Sequence, residues 1–274
     1  MRRTFTPMLL AASLSGASLA TPARATEPAP ATSEARDPGA LAALSRMGAF
    51  LRLQKQLEVT GDTTTDDVVG PRQKVQHLGT FKLTVRRPDR LHGVVNDDRK
   101  QEEIFYDGKT FAVYQPRLGY YASFAAPPTL NGVVSMAEDR YGLDLPLADL
   151  FYWGTEKDPA RQIRSSMLVG NSVIQGTPCE HYAFHQSDVD WEIWIQSGDQ
   201  PLPRKLVITT ITDATQPQYT VMLNWNLAPR FAEALFTFSP PQSAHRIEFA
   251  TAVAASPRQG RKQSRARSTS GEKP

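Results

Sequence analysis

The sequence predicts an α+β fold that is mainly β: one large curved antiparallel sheet, or an incomplete barrel, with a few covering helices. Three observations predict it. Short runs of alternating apolar and polar residues follow one another from about 75 to 125 and again from 165 to 238. Tight-turn signals such as Arg87-Pro88-Asp89, Asp107-Gly108 and Gly198-Asp199 separate them; such turns join antiparallel neighbours, whereas parallel strands need long crossovers. Helical periodicity is confined to residues 38–55 and 129–153.

From the N-terminus, residues 1–25 read as a secretory signal. Arg2 and Arg3 form the positive start, Met8 to Ala20 is a short stretch of mostly apolar small residues, and Ala23-Arg24-Ala25 is a small-x-small pattern with cleavage expected after Ala25. The stretch is too short for a membrane-spanning helix of about 20 apolar residues. Arg2-Arg3-Thr4-Phe5 also resembles part of a twin-arginine signal, so either export route stands open. The mature protein is expected to be exported and soluble.

Residues 26–37, rich in Pro, Ala and Ser, read as a flexible leader. Asp37-Pro38 then has the chemistry of a helix start, an Asp cap before Pro at the first helical position. Leu41, Leu44, Met47 and Leu51 recur at helical spacing, with Phe50, Leu53 and Leu57 widening the apolar face. Strands follow at 75–85, where Phe81, Leu83 and Val85 alternate with polar residues, and at 90–96, 101–106, 110–115 and 120–124.

Residues 129–153 change character. Leu130, Val133, Val134 and Met136 predict a helix that ends near Gly142; Asp144 with Pro146 opens a second carrying Leu147, Leu150 and Phe151. An apolar helical insert between two runs of strands lies on the sheet or covers something. The second run predicts strands at 165–169, 172–175, 180–185, 190–196, 204–212, 218–225 and 235–238. Residues 38–250 are thus one domain, and 251–274 form a basic tail without hydrophobic period, expected to be disordered.

Charge is unevenly placed. The chain holds 31 Lys+Arg and 28 Asp+Glu. The signal takes Arg2, Arg3 and Arg24; the tail takes Arg258, Arg261, Lys262, Arg265, Arg267 and Lys273 against Glu272. That leaves 22 bases and 27 acids for residues 26–257, an acidic body that gives nucleic acid no reason to bind. The tail offers a peripheral contact with an anionic membrane, worth about 1 kcal/mol per base near the surface. The lone Cys179 excludes an internal disulfide, so stability rests on core packing.

Chemical motifs are sparse. Cys179, His181 and His185 share one face of a strand, but about 3.3 Å per residue puts the two imidazoles roughly 13 Å apart, too far for one ion. Asp97 with Asp98 and Asp188 with Asp190 read as loop acids, and no nucleophile elbow, phosphate loop or EF-hand occurs. No metal, no cofactor and no catalytic residue is expected. Aromatic side chains crowd both strand runs; a bent sheet capped by the helix and the insert leaves room for an apolar cavity of the kind that holds acyl chains.

Several segments resemble an uncharacterised family of predicted bacterial periplasmic proteins. They are Val173 to Phe184 (VIQGTPCEHYAF), Asp190 to Ile195 (DWEIWI), Pro201 to Thr209 (PLPRKLVIT), Arg87 to Leu91, Tyr106 to Thr110, Leu145 to Leu150, and Phe236 to Pro241. That family is similar to the LolA/LolB-like lipoprotein carrier superfamily and to lipid-binding mycobacterial lipoproteins. The resemblance implies a LolA-like half-barrel over helices, a hydrophobic cavity and a periplasmic location. The expected ligand is a lipid, a lipoprotein acyl chain or another apolar molecule, bound without chemistry. Alternation and apolar character assign the cavity wall to Phe81, Leu83, Val85, Phe111, Val113, Trp191, Ile193 and Ile195. They assign the lid to Val133, Val134, Met136, Leu147, Leu150 and Phe151. The alternative is an envelope interaction or assembly protein with a packed core, no ligand and an envelope protein as partner.

Overall fold

The computed structural model describes residues 35–143, 152 and 158–250. The signal with its cleavage position, the leader up to residue 34, the insert's Leu147, Leu150 and Phe151, and the tail lie outside the described residues. Helix α1 spans Pro38–Leu53; the Asp37 carboxylate accepts from the Gly39 N–H at 2.8 Å, closing its first turn as the sequence chemistry demands. Ala40, Ala43, Leu44, Met47 and Leu51 bury one face. Two residues expected to widen that face do otherwise. Leu53 is 78% exposed, because two positions beyond Leu51 a helix has turned by about 200°. Leu57 lies past the helix, in the first strand.

The strands are β1 (Gln56–Val69), β2 (Gln73–Arg86), β3 (Arg90–Asp97), β4 (Gln101–Tyr106), β5 (Thr110–Gln115) and β6 (Tyr120–Ala125). Helix α2 (Leu130–Tyr141) follows, and then β7 (Ser165–Ile174), β8 (Thr177–His185), β9 (Val189–Gln196), β10 (Pro203–Thr210), β11 (Gln218–Asn226) and the short β12 (His245–Arg246). They form one open, curved sheet in the order β12-β6-β5-β4-β3-β2-β1-β11-β10-β9-β8-β7, antiparallel except for the β12–β6 pair. Two meanders therefore meet at its centre, where Val59 pairs with Trp225 and Gly61 with Leu223.

Three elements differ from the sequence expectation. β1 was not foreseen: its middle reads Thr-Gly-Asp-Thr-Thr-Thr-Asp-Asp, too polar to signal a strand, yet β2 and β11 pair it on both sides. Two strands expected at 165–175 are one, β7, with a bulge between Leu168 and Gly170. Leu235–Phe238 is not a strand; Glu233–Phe236 is a 3₁₀ turn that buries Phe236 completely.

Cross-strand pairing fixes the two faces. Leu206 pairs with both Ile193 and Val221, so the side chains under α1 and those under α2 share one face of the sheet, the helix face. After β11 the chain runs over the opposite, outer face, where Phe238 packs on Phe105, Tyr114 and Tyr121 with ring centroids 5.1–5.7 Å away. It then passes the edge as β12 and brings Phe249 against Phe124 and Tyr141 on the helix face. This strap covers the β6 edge.

Candidate functional site

The helix face carries two apolar clusters. Under α2, the wholly buried Val133 and Val134 meet Phe81, Leu83, Val85, Phe111 and Val113. Under α1, Leu44, Met47 and Leu51 meet Trp191, Ile193 and Ile195 together with Tyr182 and Phe184. The structure thus places all eight expected wall residues on one face, buried, but divides them between two helices. Of the expected lid, Val133 and Val134 belong to the first cluster itself, and Met136 is half-buried on the same helix.

Between the clusters runs a seam that the sequence reasoning missed. Leu206, Trp225 and Leu227 pack against both clusters and are only half-buried; Tyr219 and Ile208 continue the apolar surface beside them. These side chains come from β10, β11 and the segment after β11, the centre of the sheet. The signal was present, since Leu206 and Ile208, and then Tyr219, Val221, Leu223 and Trp225, alternate in the sequence. Trp225 is oriented by its indole N–H, which donates to the Pro203 carbonyl at 2.7 Å. Burial pushes the Tyr219 phenol up to about 12. The floor is smooth at Gly61, where the Phe81 ring lies across the position a Cβ would occupy. The seam's side chains form a half-buried apolar strip between two packed clusters.

The remaining polar candidates are engaged structurally. On the outer face, His181 stacks on Trp194 at 3.9 Å and its Nε2 lies 2.7 Å from Glu192, while the Lys205 ammonium sits 4.4 Å over the same indole. His185 bonds Asp190 at 2.6 Å. Cys179 is buried with Trp194 and Val207, and burial pushes its thiol up, which makes it a poor nucleophile. Asp97 accepts from the N–H groups of Arg99 and Lys100 at 2.7 Å, closing the β3–β4 turn. Among the described residues, no group of three or more His, Cys, Asp or Glu side chains could hold a metal. Two cavities of about 270 and 250 Å³ open on the outer face. Thr60, Asp62, Lys82 and Asn224 help line the first; Phe105, Tyr121 and Phe238 help line the second.

None of the curated proteins matches this sequence. Among solved structures, LprF from Mycobacterium bovis is similar at 14% identity, over 77% of this chain and 100% of its own, with a TM-score of 0.43. The Mycobacterium tuberculosis lipoprotein LppX is similar at 14% identity, over 71% and 98%, with a TM-score of 0.43. A LolA superfamily protein from Nitrosomonas europaea shares 10% identity over 73% and 97%, with a TM-score of 0.32. The family described as predicted periplasmic protein (DUF2092) matches residues 40–250, and this chain belongs to it.

Proposed function

We propose that this periplasmic protein binds an apolar ligand, a lipid or the acyl chain of a lipoprotein, along the seam on the helix face of its sheet. One observation carries the reading: Leu206, Trp225 and Leu227 touch both buried clusters yet stay half-open. The expected wall residues, from Phe81 to Ile195, are the floor on either side, and α1 and α2 are the banks. Binding is non-covalent, and each methylene taken from water contributes about 0.8 kcal/mol, so several are enough for a stable complex. The test is to purify the exported protein without detergent, extract it with organic solvent and identify bound lipid by mass spectrometry. Leu206→Arg is expected to lower affinity for a fluorescent fatty acid about tenfold, since it puts a charge into the strip. A wild-type protein that is empty and refuses the probe overturns the proposal.

The β7 edge favours a second reading, an envelope protein partner. Met167, Leu168, Val169 and Val173 are more than half exposed on a strand without a charged residue. Residues 35–37 already bond this edge at Ser166, and the stretch from Met167 to Val173 beyond it suits an added strand from another chain. Val173→Lys is expected to abolish that contact in a cross-linking assay and to leave lipid content unchanged.

A further inference from the structure

The β1–β2 hairpin outruns the sheet that holds it. β11 pairs with β1 only as far as Thr65, and β3 with β2 only from Gly79, whereas β1 and β2 continue together from Asp66↔Gln76 to Val69↔Gln73. Four further pairs at about 3.3 Å each make a two-stranded finger of roughly 13 Å. Its base is buttressed. Asp66 accepts from the Gln218 N–H at 3.2 Å and pairs with Lys74 at 3.0 Å; Asp67 pairs with Arg99 and faces His77 at 3.5 Å. From Val68 round the turn to Val75, which lies opposite Asp67, the tip Val68-Val69-Gly70-Pro71-Arg72-Gln73-Lys74-Val75 is exposed; it holds no acid, and its two cations are Arg72 and Lys74, the latter paired with Asp66.

A bare hairpin is marginal in water, and this one leaves valines 36–42% exposed on both of its faces: Val68 on one, Val69 and Val75 on the other. Apolar side chains all around a tip, with Arg72 and Lys74 among them, do not match a one-sided protein groove. They match the layer where acyl chains meet phosphate headgroups, into which valines enter while Arg72 stays with the phosphates. The nearest acids, Asp66 and Asp67, are neutralised by Lys74 and Arg99, which leaves Arg72 as the tip's unneutralised charge. We infer that the β1–β2 finger docks this protein on an anionic lipid bilayer through residues 68–75. The inference does not depend on what the seam holds.

The experiment is flotation of the exported protein with vesicles of phosphatidylethanolamine and phosphatidylglycerol, beside vesicles of phosphatidylcholine alone. Binding is expected to the anionic vesicles and to fall with salt. Val69→Asp combined with Val75→Asp is expected to lower it about tenfold, and Arg72→Glu to lower it severalfold. Because these side chains are exposed, thermal midpoints of the variants are expected to equal the wild type's. A chain lacking residues 251–274 is expected to keep the dependence on Val69 and Val75, which separates the finger from the basic tail. As an independent readout, Val69→Cys carrying an environment-sensitive dye is expected to shift to the blue on anionic vesicles; the native Cys179 is buried. A wild type that does not float, variants that float like it, or a dye that does not shift overturns the inference. Lipid content after extraction is read separately and decides only the seam.

Discussion

Gly61 lies opposite Phe81 and Leu223 at the centre of the sheet, and an added Cβ would come within 2.3 Å of the Phe81 ring and 3.0 Å of Val221. Gly61→Ala is therefore expected to cost about 1–3 kcal/mol in urea unfolding, since a packed ring has to move. His92 offers a test in pH. It pairs with Thr84 on the outer face, lies 4.9 Å from Phe105, and its Nδ1 has no hydrogen-bond partner among the described residues. Burial, and then the Lys82 ammonium, holds its pKa below the usual histidine range. A histidine lowered in the folded state binds its proton first in the unfolded chain. Its contribution to stability is present above the unfolded value near 6.5 and is lost as pH falls below it. His92→Phe is expected to flatten the fall in stability below about pH 6.5, measured by thermal unfolding at a series of lower pH values; an unchanged slope would show that other groups carry it. Neither residue announced its role. In the sequence Gly61 stands in a polar stretch and His92 in a short strand, and the partners that matter lie on other strands.

Elements were read best where their packing follows their own period. Helix α1 carries its cap, its proline and its buried stripe in one stretch of chain, so its start and apolar stripe were legible. The short strands from β3 to β6 were equally so, each with one apolar face and a turn at its end. β1 fails that test because its polar stretch carries no period of its own: Thr63 and Thr65 sit on the helix face opposite Val221 and Tyr219, and the pairing on both sides supplies what its composition lacks. Residues 235–238, at the start of the strap, predict one more strand because Phe236 and Phe238 alternate, yet the two rings go to different environments. Phe236 is buried beside Phe231, while Phe238 rests on the outer face. Phe238→Ala is expected to cost about 2 kcal/mol and to raise hydrogen exchange in β6 ahead of the rest of the sheet, because the edge loses its cover. Uniform exchange across the sheet would contradict a local role.

At the scale of the whole molecule, the seam is a product of where the two meanders meet. The expected wall was one surface; the fold splits it between α1 and α2 and leaves the strip of β10 and β11 between them. Occupation of that strip is expected to link ligand to stability, with a gain of about 2.7 kcal/mol at a hundredfold excess over the dissociation constant, seen as a higher thermal midpoint with added fatty acid. The sequence by itself determined the class of fold, the inward face of the alternating strands, the first helix and the family, because alternation, caps and turns are local and act through neighbouring residues. Tertiary structure alone decided that β11 returns to β1, that the C-terminal strap wraps the β6 edge, and that the buried wall is two clusters with a half-open seam. Those outcomes rest on contacts between residues more than a hundred positions apart. Their register is set by the fit of side chains across the sheet rather than by any period along the chain.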